Sequence, residues 1–338
     1  MKKQFLPASI RRRLRPIRGA LSTLLIAPAV RLMVQWMRWH DVQPTLERAG
    51  YTVARRNDYY SPLPSIEDLR TTRARWDRPS SLRGLDLNLN EMEEYLQTLL
   101  ARYSMEFSDY PPYEELFRIG FGPGFPAVDA LTLYMVIRDA KPRHYVEVGS
   151  GLSTYYAGLA ATRNAAEGRP MKITCIEPYP YDKLLSIPGI SLIQKQVQDV
   201  GHSFFEVLQH DDLLFIDSSH ILRIDGDVPF LLLEVLPSLP AGMLIHVHDI
   251  PFPYNVPYPP DLWVFGQSSP RFWNEAMVLQ AFLAFNSRFR IVLSTPLIRH
   301  FNEGFLRRNV PGYSPVGTSG NLPSSIWLRA QQTERSKT

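Results

Sequence analysis

The chain has 338 residues, 45% hydrophobic and 21% charged, which excludes a disordered or fibrous protein and supplies enough apolar surface for a sizeable core. One cysteine, Cys175, excludes an internal disulfide, and its place inside an apolar run marks it as a small buried hydrophobe. Net charge is +4 but uneven: residues 1–40 hold nine Lys or Arg and no acid, leaving 28 bases against 33 acids elsewhere, so no nucleic-acid-binding face is expected on the body.

The basic arm runs into ALSTLLIAPAVRLMVQWM, residues 20–37, apolar but broken by Pro28 and Arg31. A spanning helix needs about 20 apolar residues, so this segment is marginal as one. Three other readings stay open: a cleaved leader, a helix packed on the body, and an interfacial segment whose arginines meet an anionic membrane surface. Residues 41–115 are rich in turn formers and read as a cap region, with one helix after Asn90 as N-cap. Residues 116–338 form the main domain. There VDALTLYMVIRDA reads as a helix, and short apolar runs alternate with helical stretches: HYVEVG, KITCIEP, ISLIQ, DLLFID, MLIHVHD, FRIVLS and SSIWLRA. That alternation predicts an α/β, Rossmann-like, seven-stranded and mostly parallel sheet with helices on both faces, preceded by an N-terminal helical or irregular extension.

Ligands of such sheets bind beyond the carboxyl ends of the strands. The first run ends in VEVGSGLST, where Gly149 and Gly151 permit a tight turn and close approach to a ligand. Thr154 stands where a dinucleotide fingerprint wants a third glycine, which lowers the nicotinamide reading. Glu147, an acid inside the strand, is expected to meet a cation or to order the glycine loop. Glu177 ends the second run, where a carboxylate can accept both ribose hydroxyls. Asp199 follows the third run, where a polar group can meet an adenine amino group.

YVEVGSGLST, IEPYP, LLFIDSSH, GMLIHVHDI and FWNEAMVLQAFLAFN, spanning roughly residues 110–300, together resemble the class I S-adenosylmethionine-dependent methyltransferases. The nearest branch is a bacterial group of uncharacterised or glycan-associated O-methyltransferases with FIDSSH and HxHDI motifs. The resemblance implies S-adenosylmethionine as cofactor, with Glu147, Gly149, Ser150, Gly151 and Ser153 at its methionine part, Glu177 at the ribose, Asp199 at adenine, and Asp217 at the crevice. In the related catechol-type branch, acids at the ends of the fourth and fifth strands hold Mg²⁺. Asp217 and Asp249 match them, but Ile250 replaces the following asparagine, and His220 stands where that branch has a general-base lysine.

A hydroxyl attacking a methyl group must lose its proton, and a neutral imidazole suits that task near neutral pH, so His220 is the expected base. Asp217 would orient it and His248 would assist; His246, two residues earlier, is expected to be a core histidine. A divalent metal, Mg or Mn, on Asp217 and Asp249 is left open. The expected activity is O-methylation of a small-molecule, glycan or lipid-linked acceptor in the cytoplasm, peripheral at the inner membrane face through residues 1–40. The rivals are a metal-dependent hydroxylase using Asp217, His220, His248 and Asp249, and a non-catalytic membrane-associated binding module.

Overall fold

The computed structural model describes residues 26–37, 40–56, 58–121, 124–266, 269–313 and 322–332. The basic stretch 1–25 of the expected arm lies outside them. The chain divides into two compact units, Met1–Thr71 and Thr72–Thr338. The first holds a helix over 26–36 and the short helices Gln43–Arg48 and Ile66–Thr71, neither of which buries a residue. Among the described residues no helix is long and apolar enough to cross a membrane.

The boundary between units differs from the expected breaks near 40 and 115. Residues 72–115 belong to the second unit, because the helix Leu89–Phe107 buries Met92, Leu96, Leu99 and Leu100. That i, i+4, i+7, i+8 spacing gives one apolar stripe, which packs on the helix Ala127–Ala140. Its N-cap is Asn88, whose side chain accepts from the Glu91 amide at 3.2 Å, rather than Asn90. Glu91 stands in the first turn, where an acid suits the helix dipole.

The second unit is built on seven strands: β1 (His144–Val148), β2 (Lys172–Ile176), β3 (Ile190–Ile193), β4 (Leu213–Ile216), β5 (Leu244–Val247), β6 (Phe289–Ser294) and β7 (Ile326–Ala330). Their order is β3-β2-β1-β4-β5-β7-β6, parallel from β3 to β5, with β7 antiparallel to both neighbours. This is the mostly parallel α/β sheet the sequence predicts. Every residue of β4 and β5 is buried, as central parallel strands require. His246 lies in this core, stacked on Phe215 at 4.3 Å and bonded through Nε2 to Ser325 Oγ at 2.8 Å. Burial drives its pKa well below the ordinary histidine value, so it is a neutral core group.

β1 pairs with β2 on one side and β4 on the other. The chain leaves β1 for β2 and β3, then returns to the far side of β1 as β4. Crossovers that diverge in this way leave a crevice beyond the carboxyl ends of the two central strands.

Candidate active site

A cavity of about 290 Å³ occupies that crevice, lined by Gly149, Glu177, Gln196, Gln198, Asp217 and Ser219 among others. A larger hollow lies at the opposite, amino ends of the strands, around Arg143, His144 and Asp212, the side where such sheets do not bind their ligands. Gly149 has φ +79°, and a Cβ there would sit 2.2 Å from the carbonyl oxygen of Asp217. Only glycine lets the turn after β1 press against the end of β4. Glu177 lines the cavity and accepts the amides of Ser150 at 3.2 Å and Tyr179 at 2.7 Å, which ties the tip of β2 to the glycine turn.

Several residues expected to touch a cofactor are placed elsewhere. Glu147 is fully buried beneath the turn, accepting the Ser153 hydroxyl and lying 3.8 Å from the Cys175 sulfur. Burial raises its pKa to about 8, although hydrogen bonds from Ser153 and Thr154 oppose the shift. Glu147 and Ser153 therefore order the glycine loop from below, and neither they nor Gly151 lines the cavity. Ser150 contributes its amide, while its buried hydroxyl has no partner among the described residues. Asp199 is exposed and off the cavity wall; one turn of helix, Val197–Val200, points Gln198 inward instead. Among the described residues the buried Gln198 Oε1 has no hydrogen-bond partner, and such an acceptor fits an amino group such as that of adenine. The glycine cradle, Glu177 and this orphaned acceptor suit a nucleoside ligand.

Asp217 and Asp249 follow β4 and β5, and His220 closes the turn after β4. His220 and Asp249 adopt φ of +62° and +54°, left-handed conformations that non-glycine residues rarely take and that cluster at functional sites. The His220 ring is buried. Its Nε2 lies 3.3 Å from Asp217 Oδ1 and 3.6 Å from Asp249 Oδ2, and its Nδ1 is 2.8 Å from Glu275 Oε2. Glu275, almost fully buried, also accepts the Ser218 hydroxyl at 2.8 Å. The Asn274 and Glu275 amides donate back to the His220 carbonyl, so loop and helix lock each other.

Burial by itself disfavours a charged ring here, but the hydrogen bonds to Asp217 and Glu275 and the charge of Asp249 outweigh it. The His220 pKa is raised well above the ordinary value, so the surrounding carboxylates favour the protonated ring. Burial likewise opposes the charge of Asp217, yet His220 and His248 hold its carboxyl below the usual range.

His248 faces neither cavity. It is buried, its Nε2 is 3.1 Å from the Gly124 carbonyl and 3.6 Å from Asp249 Oδ1, and its Nδ1 is 4.0 Å from Asp129. It supports Asp249 from behind. Asp129, with no exposed surface, accepts the Ser324 amide and the Thr295 hydroxyl, and Ser324 Oγ donates to Asp249 at 2.9 Å. Glu275, Asp129 and Ser324 had no role in the sequence reading. An acid inside the apolar run FWNEAMVLQ was the one available signal for Glu275.

The ligand atoms of Asp217, His220 and Asp249 lie within 4.8 Å of one another, so the three fit a divalent cation. Two carboxylates and an imidazole held by a carboxylate at its other nitrogen are a donor set for Mn or Fe more than for Mg. Ile250, fully buried, supplies no ligand in place of the asparagine.

Asp249 also lines a second cavity of about 360 Å³, walled by Tyr258, Trp263, Arg271, Trp273 and Arg299. The Trp263 and Trp273 rings stack at 5.8 Å, and Trp273 lies 4.5 Å from His220. His220 therefore stands between a polar cleft that ends on Asp217 and an aromatic cavity that ends on Asp249.

Residues 146–250 match the family model described as a methyltransferase domain. The chain is similar to an uncharacterized protein of Archaeoglobus fulgidus, 33% identical over 166 residues that cover 45% of this chain and 72% of the relative. Among solved structures it is similar to an O-methyltransferase from Streptomyces achromogenes involved in tomaymycin synthesis, in complex with S-adenosylmethionine, at 14% identity and TM-score 0.40, covering 70% of this chain and 89% of that one. It is similar also to an O-methyltransferase from Bacillus cereus in complex with S-adenosylhomocysteine, at 13% identity and TM-score 0.38, covering 79% and 100%. The matched segment begins in β1 and ends one residue past Asp249, across the strand ends that carry the cleft, and it is this segment of the chain that is similar to a methyltransferase domain.

Proposed function

We propose that the protein is an S-adenosylmethionine-dependent O-methyltransferase, with His220 as general base, acting on a hydroxyl of a small-molecule, glycan or lipid-linked acceptor. The observation that carries this reading is the place of the His220 ring, buried between the two cavities with Nε2 toward Asp217 and Asp249 and Nδ1 on Glu275. Bound S-adenosylmethionine would supply an electrophilic methyl group and a sulfonium charge that opposes the carboxylate field around His220, so that the ring is neutral at Nε2 when the acceptor arrives. Gly149, Glu177 and Gln198 bind and orient the nucleoside. The aromatic cavity presents the acceptor hydroxyl beside Asp249, and His220 Nε2 takes its proton. Asp217 and Glu275 then stabilise the imidazolium, while alignment of oxygen and methyl supplies most of the remaining rate.

The test is incorporation of labelled methyl from S-adenosylmethionine into lipid and glycan extracts, with and without chelator, alongside calorimetry with S-adenosylhomocysteine. Binding that is lost in Glu177→Ala, and methylation that is lost in His220→Ala, are expected. No binding of S-adenosylhomocysteine by the wild type would overturn the reading. A metal-bound use of Asp217, His220 and Asp249 is favoured by their mutual spacing. It predicts one equivalent of metal on the purified protein and activity lost to chelator, with His220 then a ligand rather than the base.

The helix over 26–36 exposes Ile26, Val30, Leu32, Met33, Val34 and Trp36. With the basic residues before it, this supports peripheral attachment to an anionic membrane surface on the cytoplasmic side. Co-sedimentation of the full chain with phosphatidylserine vesicles, but not with phosphatidylcholine vesicles, is the expected result; equal recovery with both would refute it.

A further inference from the structure

Arg299 lies on the helix Thr295–Asn309 and lines the aromatic cavity with only 6% of its surface exposed. Its guanidinium carbon sits 5.5 Å over the Tyr258 ring. Among the described residues its buried Nη1 has no hydrogen-bond partner. Asp129, a buried acid whose charge reaches it, is already occupied by Ser324 and Thr295 and is itself driven by burial toward its neutral form. Burial accordingly pushes the guanidinium pKa down.

An uncompensated buried cation is costly, and an arginine cannot escape the cost by giving up its proton. A fork of N–H donors held dry in a cavity is a site for a planar or tetrahedral anion. A second arginine, Arg271, lies on the same wall, 5.9 Å from the Trp273 ring centre. The stacked Trp263 and Trp273 offer an apolar face for a ring.

We infer that the methyl acceptor is itself an anion, with a carboxylate or phosphate held by Arg299, its ring or chain against Trp263 and Trp273, and its hydroxyl offered beside Asp249 to His220. The inference rests on the methyltransferase reading above and narrows its acceptor to an acidic hydroxylated molecule, such as an aromatic or sugar acid or a phosphorylated sugar.

The test uses benzoate and its neutral isostere benzamide, with phenyl phosphate as the phosphate arm. Binding to the full chain saturated with S-adenosylhomocysteine is followed by tryptophan fluorescence and calorimetry. At least one anion should bind about tenfold tighter than benzamide, the factor that a charge-assisted hydrogen bond supplies. Tighter benzoate would mark a carboxylate acceptor, and tighter phenyl phosphate a phosphorylated one. In Arg299→Gln the preference should fall within about twofold, with S-adenosylhomocysteine affinity unchanged, whereas Arg299→Lys should keep part of it. Equal binding of all three probes to the wild type, binding of none, or a preference that survives Arg299→Gln would overturn the inference. The wild-type comparison stands even where a variant fails to fold. Absence of S-adenosylhomocysteine binding would instead strike the methyltransferase reading itself.

Discussion

Three carboxylates surround the His220 ring, and their attraction for a proton is what makes it a strong sink for one leaving an acceptor hydroxyl. His220→Ala should lower the methyl-transfer kcat by on the order of 10²-fold or more, with S-adenosylhomocysteine affinity within about twofold of wild type. Glu275→Gln keeps the shape but removes a charge that orients Nδ1, so a loss on the order of tenfold in kcat with KM little changed is expected. Full activity in His220→Ala would refute the base assignment. Glu147 gives the pH dependence. Its folded pKa of about 8 exceeds the ordinary value of 4.5, so between about pH 5 and pH 8 the folded protein keeps a proton that the unfolded chain has lost. Stability from this group is therefore present in full at the acid end and falls as pH rises through that window. Glu147→Gln, neutral throughout, should flatten the fall, a difference on the order of a few kcal/mol by pH 8 in urea denaturation. Parallel curves for the two proteins would show that the carboxyl does not titrate there. Both groups are visible in the sequence as polar residues in apolar company. The His220 partner at Nδ1 is not, because Glu275 follows His220 by 55 residues and reaches it only through folding.

At the scale of elements, the turn after β1 shows why one residue type is required at one position. Gly149 was marked by spacing alone, and its φ of +79° with the Asp217 carbonyl in the place of a Cβ gives the reason. Gly149→Ala must both adopt a left-handed conformation and push β4 away, so it should cost more than the ~1 kcal/mol of a compatible glycine replacement and abolish S-adenosylhomocysteine binding. Calorimetry on a variant that retains its circular dichroism spectrum checks this; unchanged affinity would mean that the turn does not shape the cleft. The third strand shows the opposite. Its short helix Val197–Val200 turns Asp199 out and Gln198 in, and a shift of one position on a single helical turn is not encoded in a polar pattern of the form QVQD. Likewise His248 and Asp249 were read together at the tip of β5, but the left-handed backbone at Asp249 sends the carboxylate toward the cavity while the imidazole stays behind it.

For the whole molecule, the division at Thr71 and Thr72 implies that the sheet and both cavities belong to one folding unit. A chain of residues 72–338 should therefore fold and bind S-adenosylhomocysteine with affinity within about threefold of the full chain, since every residue assigned to the nucleoside cleft lies within it. Failure to fold would show that residues 1–71 complete its core. Which segments alternate as strand and helix, which strand ends carry glycine or acid, and where basic charge gathers were all determined by the sequence, because they depend on local periodicity and residue type. Tertiary structure alone decided that β7 lies antiparallel between β5 and β6, that Glu275 clasps His220, and that Arg299 is buried over the Tyr258 ring with its Nη1 unpartnered among the described residues. Each of these joins segments far apart in the chain, and such contacts are fixed by the packing of the whole core rather than by any local pattern of residues.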